Sequence, residues 1–268
     1  MKYLFWNTNK KDINRELIKL IIELNCDIIA LAEYTGLVKD LVDVLWLKGY
    51  FYVAVPKIGC DRIQILVKEE FRDIEHLDEQ SYYTIKGIIN DKREFELITF
   101  LHLSSKLYAE EEDMLIFVED IKQRLEILED KFNTKKSIIL GDFNMNPFEK
   151  PMVMAAGFHA LSCKRTAKMK KRKIKGKEYS TFYNPMWNNF GDNNKVPGSY
   201  FYSASKQTSY FWNIFDQVIV RPEIADNIRN IRFIEGVDSL KLINENGRPN
   251  TNISDHLPLY FEIGGNLV

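Results

Sequence analysis

Ser137-Ile138-Ile139-Leu140-Gly141-Asp142-Phe143-Asn144-Met145-Asn146-Pro147 is the stretch whose reading decides the fold. It begins as a short apolar run with β-branched residues, the pattern of a buried strand. It breaks at a glycine, and an acid and two amides follow at once: Asp142, Asn144 and Asn146. Pro147 then stops further strand pairing. In extended chain Asp142 and Asn144, two residues apart, point to the same side of a sheet edge. A carboxylate and an amide so placed suit a hard cation or a phosphate. The same residues are also the commonest turn formers, so a plain turn is the competing reading.

Working outward from that strand, Leu115, Val118, Ile121, Leu125 and Leu128 recur at helical spacing, which predicts a long amphipathic helix over Met114–Phe132 leading into it. At the start of the chain, Tyr3–Trp6 reads as a strand. Ile13, Leu17, Leu20, Ile21 and Leu24 then read as a helix with Asp12 at its N-cap, and Ile28–Leu31 as a strand ending at Glu33. Strand, helix and strand in so short a span imply a right-handed crossover between neighbouring strands. Val38–Leu47 reads as a second helix. Tyr50–Val55, Arg62–Lys68, Phe71–Leu77, Tyr82–Ile89 and Phe95–Leu101 read as serial strands, with Asn90-Asp91-Lys92 as a hairpin turn and His102 following the last. Phe215–Val220, Ile231–Ile234 and Leu259–Ile263 complete the strands. No repeat or linker interrupts residues 1–268, so one α/β domain with a two-layered β core is expected.

Composition narrows the function classes. The 268 residues, 45% hydrophobic and 13% aromatic, suffice for a large core. A formal net charge of -1 gives no whole-molecule attraction to nucleic acid or membrane, so any attraction must be local. Cys26, Cys60 and Cys163 are far apart and odd in number, which argues against a disulfide framework or a zinc knuckle. No signal-peptide pattern and no membrane-span-length apolar run is present, which leads to the expectation of a cytoplasmic protein without an evident obligate protein partner.

Polar residues stand at the ends of many predicted strands: Asn7, Glu33, His102, Asp142 with Asn144, Asp216, and Asp255 with His256. Singly each has an ordinary structural role open to it. Together they suit metal-assisted attack on phosphate. Mg²⁺ takes oxygen ligands and commonly one or two carboxylates, and Glu33 with Asp255 or Asp142 would supply them; Mn²⁺ accepts the same ligands. Asp216 would orient His256 and make it more basic. Asn144 and His102 would provide donors to developing charge.

The chain resembles the endonuclease/exonuclease/phosphatase superfamily, which includes DNase I. The resemblance lies in Trp6-Asn7-Thr8-Asn9, Leu31-Ala32-Glu33, Leu101-His102-Leu103, Leu140-Gly141-Asp142-Phe143-Asn144-Met145-Asn146-Pro147, Phe215-Asp216-Gln217-Val218-Ile219-Val220 and Ser254-Asp255-His256-Leu257-Pro258, in that order. It implies a four-layered α/β sandwich with two mixed, mainly antiparallel inner sheets. It implies a metal site built on Glu33 with Asn7 and Asp255, Asp142 and Asn144 holding water and phosphate, and His256 oriented by Asp216 as base or phosphate ligand. His102 would face the scissile phosphate, with Asp61 as its acidic partner. The sequence departs from the family's abasic-site nucleases in reading Glu33-Tyr34-Thr35-Gly36, so the resemblance does not extend to that specificity.

Three functions are compatible with such a set. The first is a nuclease on DNA or RNA, in which the basic run Lys164–Lys177, with Lys170, Lys171, Arg172 and Lys173, tracks phosphates beside the active-site face and Trp187 stacks on bases. The second is a phosphatase or phosphodiesterase acting on a small molecule or lipid headgroup. The third is a binding protein on an inactive scaffold, against which the completeness of the acid, amide and histidine set argues. A Lys-rich run is also commonly just a solvated loop.

Overall fold

The computed structural model describes residues 1–264 except 91, 106–110, 192–194, 204, 206 and 239. In chain order its main elements are β1 Lys2–Asn7, α1 Asn14–Leu24, β2 Ile28–Ala32, α2 Val38–Leu47, β3 Tyr52–Val55, β4 Ile63–Lys68, β5 Glu75–Gln80, β6 Tyr83–Ile89, β7 Phe95–His102, α3 Glu111–Lys131 and β8 Ser137–Asp142. They continue with β9 Ala160–Leu161, β10 Lys171–Ile174, β11 Lys177–Ser180, β12 Phe182–Tyr183, β13 Tyr200–Tyr202, β14 Phe211–Asn213, β15 Asp216–Val220, β16 Ile228–Phe233, β17 Gly236–Val237, β18 Leu240–Lys241 and β19 Leu259–Ile263.

Two mixed sheets form the centre. One has six strands in the order β16-β19-β1-β2-β4-β3, and the other has seven in the order β5-β6-β7-β8-β15-β12-β9. Each is antiparallel apart from the crossover pairs: β1 with β2 in the first, and β7 with β8 and β12 with β9 in the second. The alternation of side chains along β8 shows why four layers arise. Ile138 and Leu140 join Ile98, Phe100, Val218 and Val220 in the core shared with the first sheet and with α1 and α2. Ile139 joins Leu97, Leu101 and Ile219 beneath Met114, Val118, Ile121 and Leu125 of α3. Apolar on both faces, β8 is a buried central strand, as its sequence predicts.

Some expected boundaries move. α1 starts at Asn14 with Ile13 as its cap residue, and Asp12 accepts a hydrogen bond from the Asn14 backbone at 3.2 Å without being the N-cap. The run Phe71–Leu77 does not form one strand: Glu69–Phe71 is a 3-10 turn and β5 begins at Glu75. Of the Asn90-Asp91-Lys92 turn, Asp91 lies outside the described residues, while the Asn90 side chain accepts from the backbones of Lys92 and Glu94, each at 2.9 Å. The basic run is not a loop. It folds as a short helix, Lys164–Ala167, and then the β10–β11 hairpin.

Candidate active site

Strand direction gathers the polar strand ends. β7 and β8 are parallel, with His102 opposite Asp142, and β8 and β15 are antiparallel, with Asp142 opposite Asp216. His102, Asp142 and Asp216 are therefore neighbours across three strands of one sheet. β1 and β2 end the same way in the other sheet, with Asn7 opposite Ala32 and Glu33 next. Gly141 makes the close approach possible, because a Cβ there would lie 1.9 Å from the Leu101 carbonyl oxygen.

Hydrogen bonds join the sheets at this end. Asn7 Nδ2 donates to Asp142 Oδ2 at 3.0 Å, and His256 Nδ1 pairs with Asp216 Oδ2 at 2.7 Å. His102 Nε2 lies 3.5 Å from Glu33 Oε1 and 3.9 Å from Asp142 Oδ2. Ser254 Oγ donates to the Asn7 carbonyl at 2.7 Å and accepts from the His256 backbone at 3.1 Å, so it fixes the segment carrying Asp255 and His256 against β1. Trp6 Nε1 donates to the His256 carbonyl at 2.8 Å. Glu33 has a left-handed backbone, φ 50, a conformation costly for a residue with a Cβ. Its carbonyl accepts from Thr8 Oγ1 at 2.9 Å and from the Lys10 backbone at 3.0 Å, which hold it there.

Asp216 is fully buried, and burial raises its pKa against the pull of His256. Burial alone would lower His256; the carboxylate of Asp216, helped by Asp142 and Asp255, outweighs it and pushes the imidazole up to about 10. The pairing with Asp216 thus favours the protonated ring. Among the described residues no lysine or arginine pairs with Glu33, Asp142, Asp216 or Asp255. Ligand atoms of Asp142, Asp216 and His256 lie within 4.8 Å of one another, a spacing a metal ion would accept. His256 Nδ1 is already bonded to Asp216, however, and Asp142 Oδ2 to Asn7. These are two separate pairs, Asn7–Asp142 and Asp216–His256, whereas the Glu33 carboxylate faces only His102 Nε2, at 3.5 Å, among the described residues and is the more available one for a cation.

Three expectations need correction. Asn144 does not continue the strand beside Asp142. Its φ is 51, its backbone N–H donates to Asp142 Oδ1 at 2.8 Å, and its Nδ2 donates to the Leu103 carbonyl at 2.9 Å. The turn reading holds: the turn braces Asp142, and the Asn144 amide is committed to the backbone. Asp61 does not orient His102. Its side chain is exposed, and His102 Nδ1 has no hydrogen-bond partner among the described residues.

The third correction concerns Lys170, Lys171, Arg172 and Lys173, which are not beside the site. Lys171 pairs with Ser180, Ser180 Oγ accepts from Arg221, and the Arg221 backbone donates to the Ser137 carbonyl. This places them level with the start of β8, whereas Asp142 is at its end, about 16 Å along the strand. Trp187 does sit at the site end. Its ring is 6.4 Å from Phe148, which directly follows Asn146-Pro147, and Phe148 also meets Phe190 and Tyr210.

Two site residues escaped the sequence reading. Tyr200 pairs in a β-bridge with His256 and packs its ring 4.8 Å from the imidazole, and Ser199 Oγ accepts from the Asp216 backbone at 3.2 Å. Their only signal was the aromatic run Tyr200-Phe201-Tyr202 in an otherwise irregular stretch.

No protein-family model matches this sequence, and no curated protein sequence matches it. Solved structures do resemble it. TDP2 of D. rerio in complex with a single-strand DNA product superposes with a TM-score of 0.53 at 16% identity, covering 97% of this chain and 97% of that one. An endonuclease/exonuclease/phosphatase family protein from Bacteroides thetaiotaomicron gives 0.57 at 12% identity over 100% and 99% of the two chains. An AP endonuclease from Archaeoglobus fulgidus gives 0.54 at 14% over 98% and 99%. These likenesses show the fold, a DNase I-like α/β sandwich, which is the architecture the sequence motifs anticipated.

Proposed function

We propose that the chain is a divalent-metal-dependent hydrolase of phosphodiester bonds, with nucleic acid as its substrate. The observation that carries the reading is the meeting of Glu33, Asp142, Asp216 and Asp255 with His102 and His256 at one end of both sheets, with no lysine or arginine among the described residues paired to the acids. Carboxylates so crowded repel one another and favour a cation between them. An all-oxygen donor set of Glu33 and Asp255, with the Asn7 amide beside them, fits Mg²⁺ or Mn²⁺. Such an ion, when bound, neutralises charge on the phosphate and on its leaving oxygen.

The chain's own groups supply the rest. The His256 imidazolium, held by Asp216, donates from Nε2 to a phosphate oxygen. Asp142, braced by Asn7 Nδ2 and the Asn144 backbone, keeps lone pairs with which to orient the attacking water. His102 presents Nε2 between Glu33 and Asp142. Support for a nucleic acid comes from the fold's resemblance to TDP2 with its single-strand DNA product, and from the rings of Tyr200, Phe148, Trp187 and Tyr210 at the site end, which offer faces for bases.

A small phosphoester is the second reading, favoured by one observation: the basic hairpin is remote from the site. A cleavage panel separates the two. Supercoiled plasmid, single-stranded DNA, RNA and bis-p-nitrophenyl phosphate are incubated with Mg²⁺, with Mn²⁺ or with EDTA, alongside His256→Ala. Metal-dependent polymer cleavage lost in the variant is the expected result. Turnover of the small ester with every polymer intact would reassign the substrate.

A further inference from the structure

The β10–β11 hairpin carries the densest positive charge in the sequence, and the proposed chemistry does not use it. The fold neutralises only part of that charge. Lys164 and Lys168 pair with Asp226, Lys170 with Glu223 at 3.0 Å and Lys171 with Glu178 at 3.1 Å. Arg172, Lys173 and Lys175 are exposed and have no ion-pair partner among the described residues, and the exposed Lys177 lies over the Tyr179 ring at 5.1 Å.

These cations are displayed rigidly. Lys175 and Gly176 both have positive φ, 46 and 86, the geometry of a tight two-residue hairpin. The hairpin's base is fastened to the core through Arg221. That guanidinium binds both oxygens of buried Glu129, at 2.7 and 3.0 Å, and donates to Ser180 Oγ at 2.9 Å and the Thr181 carbonyl at 3.1 Å. Buried Lys122 adds a bond to the Ser180 carbonyl at 3.1 Å. A charge run that merely keeps a loop in water needs no such footing. From Ser180 the chain then runs through β12, the strand between β15 and β9, to Trp187 at the active-site end, so one strand leads from the hairpin to the site.

We infer that the β10–β11 hairpin is a second polyanion-binding surface, which holds a distal segment of a nucleic acid whose scissile phosphate lies at the Asp142 end. The inference rests on the nucleic-acid reading of the site. Arg172, Lys173 and Lys175 contact backbone phosphates and read no sequence. The hairpin's base is level with the start of β8, about 16 Å along that strand from Asp142. That is at least roughly five nucleotides at the duplex rise of about 3.4 Å each, so the contribution requires a polymer longer than that.

Binding is measured by fluorescence anisotropy in EDTA with labelled oligothymidylates of about 4 and about 24 nucleotides, lengths chosen on either side of that span. The proteins are wild type, Lys173→Glu/Lys175→Glu, and Lys39→Glu/Lys48→Glu, on α2 and at its C-terminal cap, as a control with the same change in net charge. Two lost phosphate contacts on a single strand lower the salt slope by about 1.4 and weaken long-oligomer binding about 25-fold at 0.1 M salt. That loss in the hairpin variant, absent in the control and absent with the short oligomer, is the expected result. Equal losses in both variants, or equal effects on both lengths, would overturn the inference. So would wild-type binding to phosphatidylserine vesicles through Lys173 and Lys175 with no binding of either oligomer. Cleavage by the wild type, measured separately with metal, tests the reading of the site whichever way the binding result falls.

Discussion

Replacing Gly141 by alanine tests whether the close approach of β7 and β8 is what assembles the site. An alanine Cβ would sit 1.9 Å from the Leu101 carbonyl oxygen, a backbone atom, where contacts under 3.0 Å are essentially never found. The strands must therefore part locally by about 1 Å, since neither obstacle is a flexible side chain. The pairing at stake includes the bond from the Leu103 backbone to the Asp142 carbonyl at 2.9 Å and the His102–Asp142 register itself. Losing or stretching two or three such bonds, at about 1 kcal/mol each, with the packing of Leu101 disturbed, costs about 2–4 kcal/mol. For a chain of this size that is a fall in Tm of about 4–8 °C. A displacement of about 1 Å between His102 and Asp142 also lowers phosphoester turnover by about 100-fold. Gly176→Ala is the comparison. Among the described residues no atom lies within 4 Å of its Cβ, so only the positive φ of 86 is penalised, at about 1 kcal/mol, with turnover unchanged. Differential scanning calorimetry and a plasmid-cleavage assay read both variants. If Gly141→Ala melts and cleaves like Gly176→Ala, the strand-proximity argument is wrong.

If the acid cluster takes a cation, millimolar Mg²⁺ raises Tm of the wild type by about 2–6 °C, and Glu33→Gln removes that rise; an equal rise in the variant refutes Glu33 as a ligand. Because His256 has its pKa raised from 6.5 to about 10, its pairing with Asp216 stabilises the fold fully below pH 6.5, and that contribution is lost as pH rises through about 10. Urea unfolding at pH 6, 8 and 10 should show this decline, of roughly 3–5 kcal/mol at most, in the wild type and not in Asp216→Asn. Arg221→Met leaves buried Glu129 without its bidentate partner and should destabilise by about 3–5 kcal/mol, whereas Arg221→Met with Glu129→Leu recovers much of the loss; a variant as stable as wild type in urea would show that the pair does not anchor the hairpin.

What the sequence made legible follows from how local each signal is. The apolar run Ser137–Leu140 and the helix spacing of Leu17, Leu20 and Leu24 are short-range patterns, and the structure has a strand and a helix there. The acids and histidines at strand ends were legible for the same reason, since a polar residue closing an apolar run marks the edge of a sheet wherever that sheet lies. Asn144 was misplaced because periodicity assumes the strand continues, while the Asx hydrogen bond to Asp142 Oδ1 turns the chain. The basic run was misplaced for a different reason. Its charge is a property of composition, but its position is set by the direction of β12, which is antiparallel to β15 and starts at the end away from Asp216. No local pattern encodes that direction; only long-range pairing does. The same pairing explains Tyr200, which meets His256 through a bridge across 56 residues of sequence that no spacing rule would connect. The site thus divides by range. Its chemical groups are written locally at strand ends, and their geometry comes from the two sheets that bring those ends together. A substitution at a strand crossing such as Gly141 should therefore disturb the site as surely as one at a catalytic side chain.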